Sequence, residues 1–304
     1  MKSATARDSV ERVGKSLLQH GALNDRVYVM KVAGPPDEAA VNALELARRE
    51  GYGKVFAKVP ESGARAFQTL GYRQEAFIPK YFRTGENCQF MSYFLDPPRE
   101  RERTQESVLV LRAALTAASK EADYDRTTLA LIRTCTPDDA RAMARLYGQT
   151  FSTYPFPINV PEYIVEAMAE NVTYSGIWYQ GEPLALSAAE RDRDNVAVEM
   201  TDFVVAPTVR GRGLAWALLE HMENTMRAEG IRTAFTIARA VSYGMNITFA
   251  RQGYSYGGRL VNNTSICGHI ESMNVWHKTL GAESSVPKRS NSQALSTRDE
   301  GRVK

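Results

Sequence analysis

The chain has 304 residues, of which 43% are hydrophobic and 24% are charged, with a formal net charge of +3 at pH 7. Its length allows one large or two moderate domains. It has neither an apolar stretch of about 18 residues nor an apolar signal core, so we expect a cytoplasmic protein without a membrane partner. The small net charge and the absence of a basic stripe exclude an obvious nucleic-acid partner. The 3 cysteines and 4 histidines lack ligand spacing, so no metal is predicted.

The first third of the chain has the pattern of an α/β unit. Residues 8–32 alternate and turn at HGALND, which predicts a β-hairpin. A helix is predicted over DEAAVNALELARRE, with Asp37 as its N-cap and Gly51 as its stop. The predicted buried face of this helix comprises Val41, Leu44 and Ala47. The strand KVFAKVP, the helix ESGARAFQTLGY and strand-like pieces in residues 74–95 follow.

The same order of elements recurs later in the chain. ARREGYGKVFAKV, ending at Val59, matches MRAEGIRTAFTIA, ending at Ala238, and ARAFQTLGY matches ITFARQGY. The first unit therefore resembles a truncated copy of the second, although a chance match between generic units is the alternative. Because the first unit lacks a glycine-rich turn before its helix, we expect no cofactor there.

A charged segment separates the two units. PPRERERTQE predicts a solvated linker, and Val108, Leu111 and Leu115 predict a connecting helix that docks on one of the domains. The final segment is polar and serine-rich, which predicts disorder. The predicted organisation is an N-terminal α/β domain over residues 1–105, a linker over 106–127, a second domain over 128–280 and a disordered tail over 281–304.

The second domain shows alternating strand and helix patterns. TLALIR, from Thr128, predicts a strand, and Thr136 is the predicted cap of the helix that follows. The loop YPFPI and the helix PEYIVEAMAEN come next, followed by a hairpin that turns at Gly181–Glu182. The strand TAFTIA, a helix over residues 243–252 and the strand ESMNVWHKTL complete the predicted sheet.

The segment EMTDFVVAPTVRGRGLAWALLEHM has the pattern of a strand, a glycine turn and a helix. Pro207 ends the strand, since proline cannot donate to a sheet ladder. The turn leaves backbone N–H groups unpaired at the positive end of the helix dipole, and Arg210 and Arg212 add positive charge. This combination predicts an anion site. The alternative is a surface turn whose glycines serve only its geometry.

Arg-x-x-Gly-x-Ala, from Arg210 through Gly213 to Ala215, resembles the pyrophosphate loop of the GNAT superfamily of acetyl-CoA-dependent N-acetyltransferases. The order of elements over residues 128–280 is similar to the GNAT order. NDRVYVMK, YPFPI, VEMTDF, TIARAVSYGMNITFARQGYSYGG and ESMNVW further resemble the β-lysine N6-acetyltransferase family. The resemblance implies an α/β (α+β) GNAT fold, a mixed central sheet with flanking helices, preceded by a smaller α/β domain that resembles a truncated half-GNAT.

This resemblance also implies an activity. The implied reaction is acetylation of the ε-amine of β-lysine by acetyl-CoA, by direct transfer in a ternary complex, in the synthesis of the compatible solute N-acetyl-β-lysine. Another small amine as acceptor, an inactive CoA-binding sensor and a nucleotide-phosphate binder stay open as alternatives. The oligomeric state is left open.

The resemblance implies that acetyl-CoA binds at the strand end and the glycine turn. A backbone N–H near Val204 or Val205 is the implied donor to the thioester oxygen. The implied cofactor-binding residues are Phe203, Val204, Val205, Arg210, Gly211, Arg212, Gly213, Leu214, Ala215 and, on the last helix, Asn246. For Asn246, the alternative is an asparagine on the helix surface.

Amine acetylation needs a proton acceptor, because an alkyl ammonium with a pKa of about 10.4 cannot attack. The resemblance implies Glu199 as the general base, with a solvated acid as the alternative. Ideal alternation places Asp202 on the opposite face of the strand unless a bulge re-aims it. The superfamily's usual tyrosine acid is Phe249 here, so Tyr243 or Tyr254 is the candidate substitute, or the thiolate leaves unassisted.

β-Lysine carries two ammonium groups and a carboxylate, so its site is expected to present acids for the amines and a cation or amides for the carboxylate. The segment ERDRDN supplies Glu190, Asp192 and Asp194, although the same pattern fits a solvated hairpin. Further candidates are Asn262, Asn263 and Glu271. The sequence does not identify the group that binds the substrate carboxylate.

Overall fold

A computed structural model of the chain describes residues 8–118 and 126–281. The first part contains the strands β1 (Ser9–Val13), β2 (Ser16–Gly21), β3 (Arg26–Lys31), β4 (Lys54–Pro60), β5 (Arg73–Ile78) and β6 (Cys88–Phe94). Its helices are α1 (Pro36–Glu50) and α2 (Glu61–Thr69). A 3₁₀ turn over Pro97–Glu100 and the helix α3 (Glu106–Ala117) lead to the second part.

The second part alternates helices and strands. Its strands are β7 (Ile132–Thr134), β8 (Val172–Tyr179), β9 (Glu182–Asp192), β10 (Ala197–Val205), β11 (Thr233–Arg239), β12 (Ser255–Ile266) and β13 (His269–Thr279). Its helices are α4 (Ala140–Thr150), α5 (Pro161–Glu170), α6 (Leu214–Ala228) and α7 (Tyr243–Arg251). Short 3₁₀ turns cover Arg126–Leu131, Pro137–Asp139 and Pro207–Val209.

In the described part of the chain the strands form one sheet, in the order β1-β2-β3-β4-β6-β5-β12-β13-β11-β10-β9-β8-β7. The neighbours β3–β4 and β10–β11 are parallel, and each parallel pair is joined by a helix, α1 or α6. The mixed sheet with flanking helices confirms the predicted fold class. The orders β2-β3-β4-β6-β5 and β9-β10-β11-β13-β12 are the same. That likeness supports the repeat hypothesis, which stays a hypothesis.

The two parts meet where β5 pairs with β12, through Ala76 and Gly258. Gly258 has a φ of 135°, and a Cβ atom there would lie 2.3 Å from the carbonyl oxygen of Glu75, so only glycine allows this approach. Side chains of both parts, including Phe56 and Phe235, share one hydrophobic cluster behind this junction. The first part is therefore packed against the second through a common core.

Two predicted helix details are wrong. Helix α1 has Pro35 as its N-cap, two residues before the predicted cap, and Asp37 lies in its first turn, since Pro36 at the first helical position starts the helix. Gly51 ends the helix in the left-handed conformation, as predicted. On the predicted buried face, Leu44 is buried, whereas Val41 is 37% exposed.

The connecting helix α3 buries a face that matches the predicted one only in part, since Leu111 packs against a core cluster of the second part. Val108 and Leu115 are 42% and 52% exposed, while the small residues Ala114 and Ala117 are buried. The helix packs against α7, and small side chains let two helix backbones approach closely. Residues 119–125 of the predicted linker lie outside the described part of the chain.

The predicted strand TLALIR is mostly not a strand. Residues Arg126–Leu131 form a 3₁₀ turn, and only Ile132–Thr134 pair with β8. Ile132 pairs with Ile177 and β8 ends at Tyr179, so most of the residues of the 3₁₀ turn lie beyond the end of the neighbouring strand. Thr136 is the N-cap of the turn before α4, as predicted, and it forms a capping box with Asp139. The predicted tail falls outside the described residues, apart from residue 281.

Candidate active site

The site begins where two parallel strands separate. β10 and β11 pair only from Ala197 to Glu199, although β10 continues to Val205 and β11 to Arg239. Each strand stays paired on its outer side, β10 with β9 and β11 with β13, so the gap opens between them. A cavity of about 610 Å³ occupies this gap.

The glycine turn forms one wall of this larger cavity. Gly211 and Gly213 have φ values of 80° and 75°, which favour glycine, and Gly213 is the N-cap of α6. Within the described residues, no side chain makes a capping hydrogen bond at the N-terminus of α6, and a helix N-terminus without a side-chain cap is suited to bind an anion. The predicted residues that line the cavity are Phe203, Val204, Val205, Arg210, Gly211, Gly213, Leu214 and Ala215. Arg212 is exposed and does not line it.

The end of β10 also presents a backbone donor. The N–H of Ala206 donates to the carbonyl oxygen of Leu184 on the β9 side, at 2.9 Å. Since neighbouring residues of a strand point their N–H groups to opposite sides, the N–H of Val205 points into the gap. Val205 is therefore the better of the two predicted donors to a thioester oxygen.

A β-bulge changes the direction of Asp202. The register between β9 and β10 shifts between Thr201 and Val204, and Asp202 has a φ of 52°. The hydroxyl of Tyr154 donates to Oδ1 of Asp202 at 2.8 Å, and that of Tyr147 donates to its carbonyl oxygen at 3.0 Å. The ideal alternation of side chains along a strand does not hold at Asp202. The alternative prediction, a bulge that changes the direction of Asp202, is the one that the structure has.

A second cavity, of about 100 Å³, adjoins the larger one. Both are lined by Tyr154, Thr201, Asp202, Ile237, Ile266 and Met273, so they share a wall. The smaller cavity also contains the carboxylates of Glu190 and Glu199, which come from β9 and β10. Three acids from two neighbouring strands thus surround a small space beside the larger cavity.

The pKa values of these acids are raised. Burial, together with repulsion from Glu190, raises the pKa of Glu199 to about 8, against the opposing effect of Lys58. Burial raises the pKa of Asp202 to about 6, although the hydroxyl of Tyr154 favours the ionised form. Burial also raises the pKa of Glu190. A carboxylate with a pKa near the working pH is suited to accept and release a proton.

The remaining acids of ERDRDN hold the two parts of the chain together. Asp192 accepts a hydrogen bond from the hydroxyl of Tyr81 at 2.7 Å, and that hydroxyl accepts one from Lys58 at 3.1 Å. Asp194 pairs with Lys31, and both side chains are exposed. Of the three acids in this segment, Glu190 alone lines the smaller cavity.

Asn246, on α7, lies outside both cavities. Asn246 is buried, and its side-chain amide makes all of its hydrogen bonds within the protein. Its Nδ2 donates to the carbonyl oxygens of Arg239 and Ser242, and its Oδ1 accepts from Asn274 and Trp276. These bonds tie α7 to the sheet.

Neither candidate tyrosine lines the larger cavity. Tyr243 is 43% exposed, and Tyr254 is 4% exposed within a hydrophobic cluster. Phe249 does line it, with its ring 5.7 Å from that of Phe203. The tyrosine that lines the wall is Tyr154, from the loop YPFPI.

Of the further substrate candidates Asn262, Asn263 and Glu271, only Asn263 lines the smaller cavity. The Oδ1 of Asn263 has no hydrogen-bond partner among the described residues. Asn262 donates to the carbonyl oxygens of Arg99 and Arg101, which fastens β12 to the first part. Glu271 pairs with Arg239, with N–O distances of 2.6 and 2.8 Å.

Sequence reasoning missed the contribution of the first part to the site. Arg26, Tyr28 and Phe56 line the smaller cavity, and Tyr28 stacks on Phe56 with ring centroids 4.1 Å apart. Arg26 and Tyr28 belong to the string NDRVYVMK, and Tyr154 belongs to YPFPI, both of which carried the family resemblance. Their position in these two strings was the sequence signal that could have identified Arg26, Tyr28 and Tyr154 as residues of the site.

Comparison with known proteins identifies the chemistry of this site. The Acetyltransferase (GNAT) family matches residues 130–254. A β-lysine N6-acetyltransferase of Methanococcus maripaludis is 37% identical over 273 residues, which are 89% of this chain and 98% of the relative. The chain belongs to the GNAT acetyltransferase family. It is therefore an N-acetyltransferase that uses acetyl-CoA.

Two further similarities accompany this assignment. A β-lysine N6-acetyltransferase of Methanosarcina mazei is 30% identical over 272 residues, which are 83% of this chain and 100% of the relative. The solved phosphinothricin acetyltransferase of Sinorhizobium meliloti in complex with AcCoA is 17% identical, with 51% of this chain and 90% of that chain covered at a TM-score of 0.44.

Residues 8–118 and 126–281 contain neither a membrane-spanning helix nor a metal-binding group of side chains. No helix in these ranges combines the length and apolar character needed to cross a membrane. Within the same ranges, no three His, Cys, Asp or Glu side chains are grouped to hold a metal ion.

The raised pKa of Glu199 predicts a stability effect. The folded acetyltransferase keeps a proton on Glu199 up to about pH 8, whereas the ordinary pKa of the group is 4.5. The stability contributed by that proton is therefore lost as pH rises through this window. Glu199→Gln cannot ionise, so its melting temperature should exceed that of the wild type by a margin that grows from pH 5 to pH 9. Thermal unfolding at pH 5, 7 and 9 measures this margin, and a margin independent of pH would contradict the burial argument.

Proposed function

We propose that this acetyltransferase transfers the acetyl group of acetyl-CoA to the ε-amine of β-lysine. The observation that carries the proposal is the set of three carboxylates, Glu190, Glu199 and Asp202, around a small cavity that adjoins the larger one. Carboxylates bind ammonium groups by charge-assisted hydrogen bonds, and a substrate with two ammonium groups needs more than one. The names of the two curated relatives support the same acceptor.

In the proposed mechanism Glu199 is the general base. Its carboxylate takes a proton from the ε-ammonium, directly or through water, and the neutral amine attacks the thioester carbon. A carbon–nitrogen bond forms, the carbon–sulfur bond breaks, and the thiolate leaves. The N–H of Val205 stabilises the oxygen that gains negative charge, because it points into the gap between the strands. Transfer is direct, with both substrates bound, since the two cavities share a wall.

Asp202 has a positioning role in this proposal. It is held by Tyr154 and Thr201, at 2.8 and 3.3 Å, on the wall common to both cavities. Its charge disfavours ionisation of Glu199 and so keeps the pKa of the base high. The thiolate leaves without a tyrosine acid, because a thiol with a pKa of about 8.5 is a good leaving group near neutral pH.

The biological role proposed with this activity is synthesis of the compatible solute N-acetyl-β-lysine in the cytoplasm. It rests on the family resemblance and on the names of the two relatives. The proposal assigns no metal to the reaction.

Release of free thiol from acetyl-CoA in the presence of single amines tests the proposal. Turnover with β-lysine and at least about tenfold less with α-lysine is the expected result. The opposite preference, or turnover with an unrelated amine only, would contradict the acceptor while leaving the acetyltransferase activity intact. Tight CoA binding without thiol release from any amine would favour an inactive CoA-binding sensor.

A further inference from the structure

Arg26 differs from the other buried cations of the described chain. The lysine and arginine residues classed as buried there are Arg26, Lys54 and Arg99. Lys54 pairs with Glu75 at 2.7 Å, and Arg99 pairs with Asp25 at 2.9 Å. For Arg26, which is 4% exposed, no carboxylate of the described residues lies within salt-bridge distance. A buried cation without an anionic partner is costly, which makes this arrangement unusual.

The guanidinium of Arg26 is held by neutral groups only. It donates to the carbonyl oxygen of Asn263, to the hydroxyl of Thr264 at 2.8 Å and to the amide oxygen of Gln19 at 3.3 Å. Its Nε has no hydrogen-bond partner among residues 8–118 and 126–281. The carbon at the centre of the guanidinium lies 4.8 Å from the ring centroid of Phe56. These contacts fix the group in place and leave part of its donor capacity unused.

This fixed cation lines the smaller cavity together with the three carboxylates. Arg26 comes from β3 in the first part of the chain, whereas Glu190 and Glu199 come from β9 and β10 in the second. The cavity therefore combines one positive group with several negative groups contributed by separate strands. A ligand with one carboxylate and two ammonium groups has the complementary set of charges.

We propose that Arg26 binds the carboxylate of the amino acid whose amine is acetylated. The proposal rests on the proposed function, in which the acceptor occupies the smaller cavity. Arg26 is then a specificity-determining residue, and the first part of the chain supplies the carboxylate site. Asp8 attracts the guanidinium of Arg26 from beyond salt-bridge distance, and a bound carboxylate would give it a directly paired anion through charge-assisted hydrogen bonds.

A matched pair of acceptors tests this role in the wild-type enzyme. Pentane-1,4-diamine has both amines of β-lysine but lacks the carboxylate. The wild type is expected to prefer β-lysine in kcat/KM by about 100-fold, because an acceptor without the carboxylate leaves the buried guanidinium unpaired. Equal kcat/KM values for the two amines would overturn the proposal.

Variants of Arg26 then show whether this residue causes the preference for β-lysine over pentane-1,4-diamine. Arg26→Met should lower kcat/KM for β-lysine by about 100-fold and leave that for pentane-1,4-diamine within about threefold, so that the preference disappears. Arg26→Lys should restore part of the preference, because it keeps the charge but not the bidentate geometry. The Kd for CoA, measured by calorimetry, should not change in either variant. An equal loss for both amines would show a structural role and overturn the proposal.

Arg99→Met is the matched control. Arg99 is also a buried arginine that contacts β12, through the carbonyl oxygen of Asn262 at 3.0 Å, but it is paired with Asp25 and does not line either cavity. This variant should lower the melting temperature and keep the preference for β-lysine. Loss of the preference in Arg99→Met as well would assign the effect to general disruption and overturn the role of Arg26.

The two proposals fail in different ways. If the wild type releases thiol only with amines other than β-lysine, the acceptor assignment fails, and the carboxylate comparison is made on the accepted amine and its decarboxylated analogue. A preference for the carboxylate form that is lost in Arg26→Met then supports the role of Arg26 alone. Acceptance of amines without regard to a carboxylate overturns that role.

Discussion

Glu199→Gln is expected to lower kcat for acetyl transfer by about 10²–10⁴, because glutamine keeps the shape of the side chain but cannot accept a proton. The KM for acetyl-CoA should change little, since the glycine turn, to which we assign the cofactor, lies beyond the strand that carries Glu199. The acidic limb of the profile of kcat/KM against pH, expected near the raised pKa of about 8, should also disappear. Steady-state kinetics from pH 6 to pH 10 measure all three quantities.

Asp202→Asn is the control for this prediction. Asparagine can still accept a hydrogen bond from Tyr154, so the variant should lose no more than about tenfold in kcat. The pKa of Glu199 should fall when the neighbouring charge is removed, which moves the acidic limb to lower pH. If Asp202→Asn instead loses the larger factor while Glu199→Gln stays near the wild type, the roles of the two carboxylates are exchanged.

Gly213→Val is expected to weaken acetyl-CoA binding by about 100-fold or more. Gly213 has a φ of 75° at the N-cap of α6, a conformation that a β-branched residue adopts only with strain. A side chain there also blocks the approach of a pyrophosphate to the backbone N–H groups, and hydrogen bonds to charged groups contribute about 1.5–3 kcal/mol each. Isothermal titration with CoA measures the loss.

Gly230→Val provides a matched control at the other end of the same helix. Gly230 follows α6 with a φ of 80°, and a Cβ atom at this position would have no neighbouring atom within 4 Å. Both variants should therefore share the cost of a valine at positive φ, seen as a lower melting temperature. CoA affinity should fall only in Gly213→Val. Unchanged affinity in a folded Gly213→Val would contradict the assignment of the glycine turn to the cofactor.

Most of the residues predicted to bind the cofactor line the larger cavity, because the signals that group them are local in the sequence. The glycine turn, the preceding strand and the following helix are contiguous, so spacing alone assembles them around one N-terminus. The fold class followed for a similar reason, since each helix and strand shows its own periodicity. The strand order of the first part could be anticipated only through its resemblance to the second part.

The acceptor side of the site depends on contacts that local pattern does not contain. Arg26 and Glu199 are far apart in the sequence, and they line the same cavity because the first part of the chain packs on the second. The direction of Asp202 depends on a bulge, which ideal strand alternation does not predict. The helix position of Asn246 was predicted, but its partners Asn274 and Trp276 come from β13, so its burial was not.

A conjugate of CoA joined through a carbonylmethyl group to the ε-amine of β-lysine tests whether both substrates bind side by side. Because the two cavities share a wall, the conjugate should inhibit competitively against both acetyl-CoA and β-lysine. Its Kd should lie at least about 100-fold below that of CoA, since joining two ligands makes the second binding event intramolecular. Competition with acetyl-CoA alone, at the affinity of CoA, would contradict acetyl transfer between the two cavities.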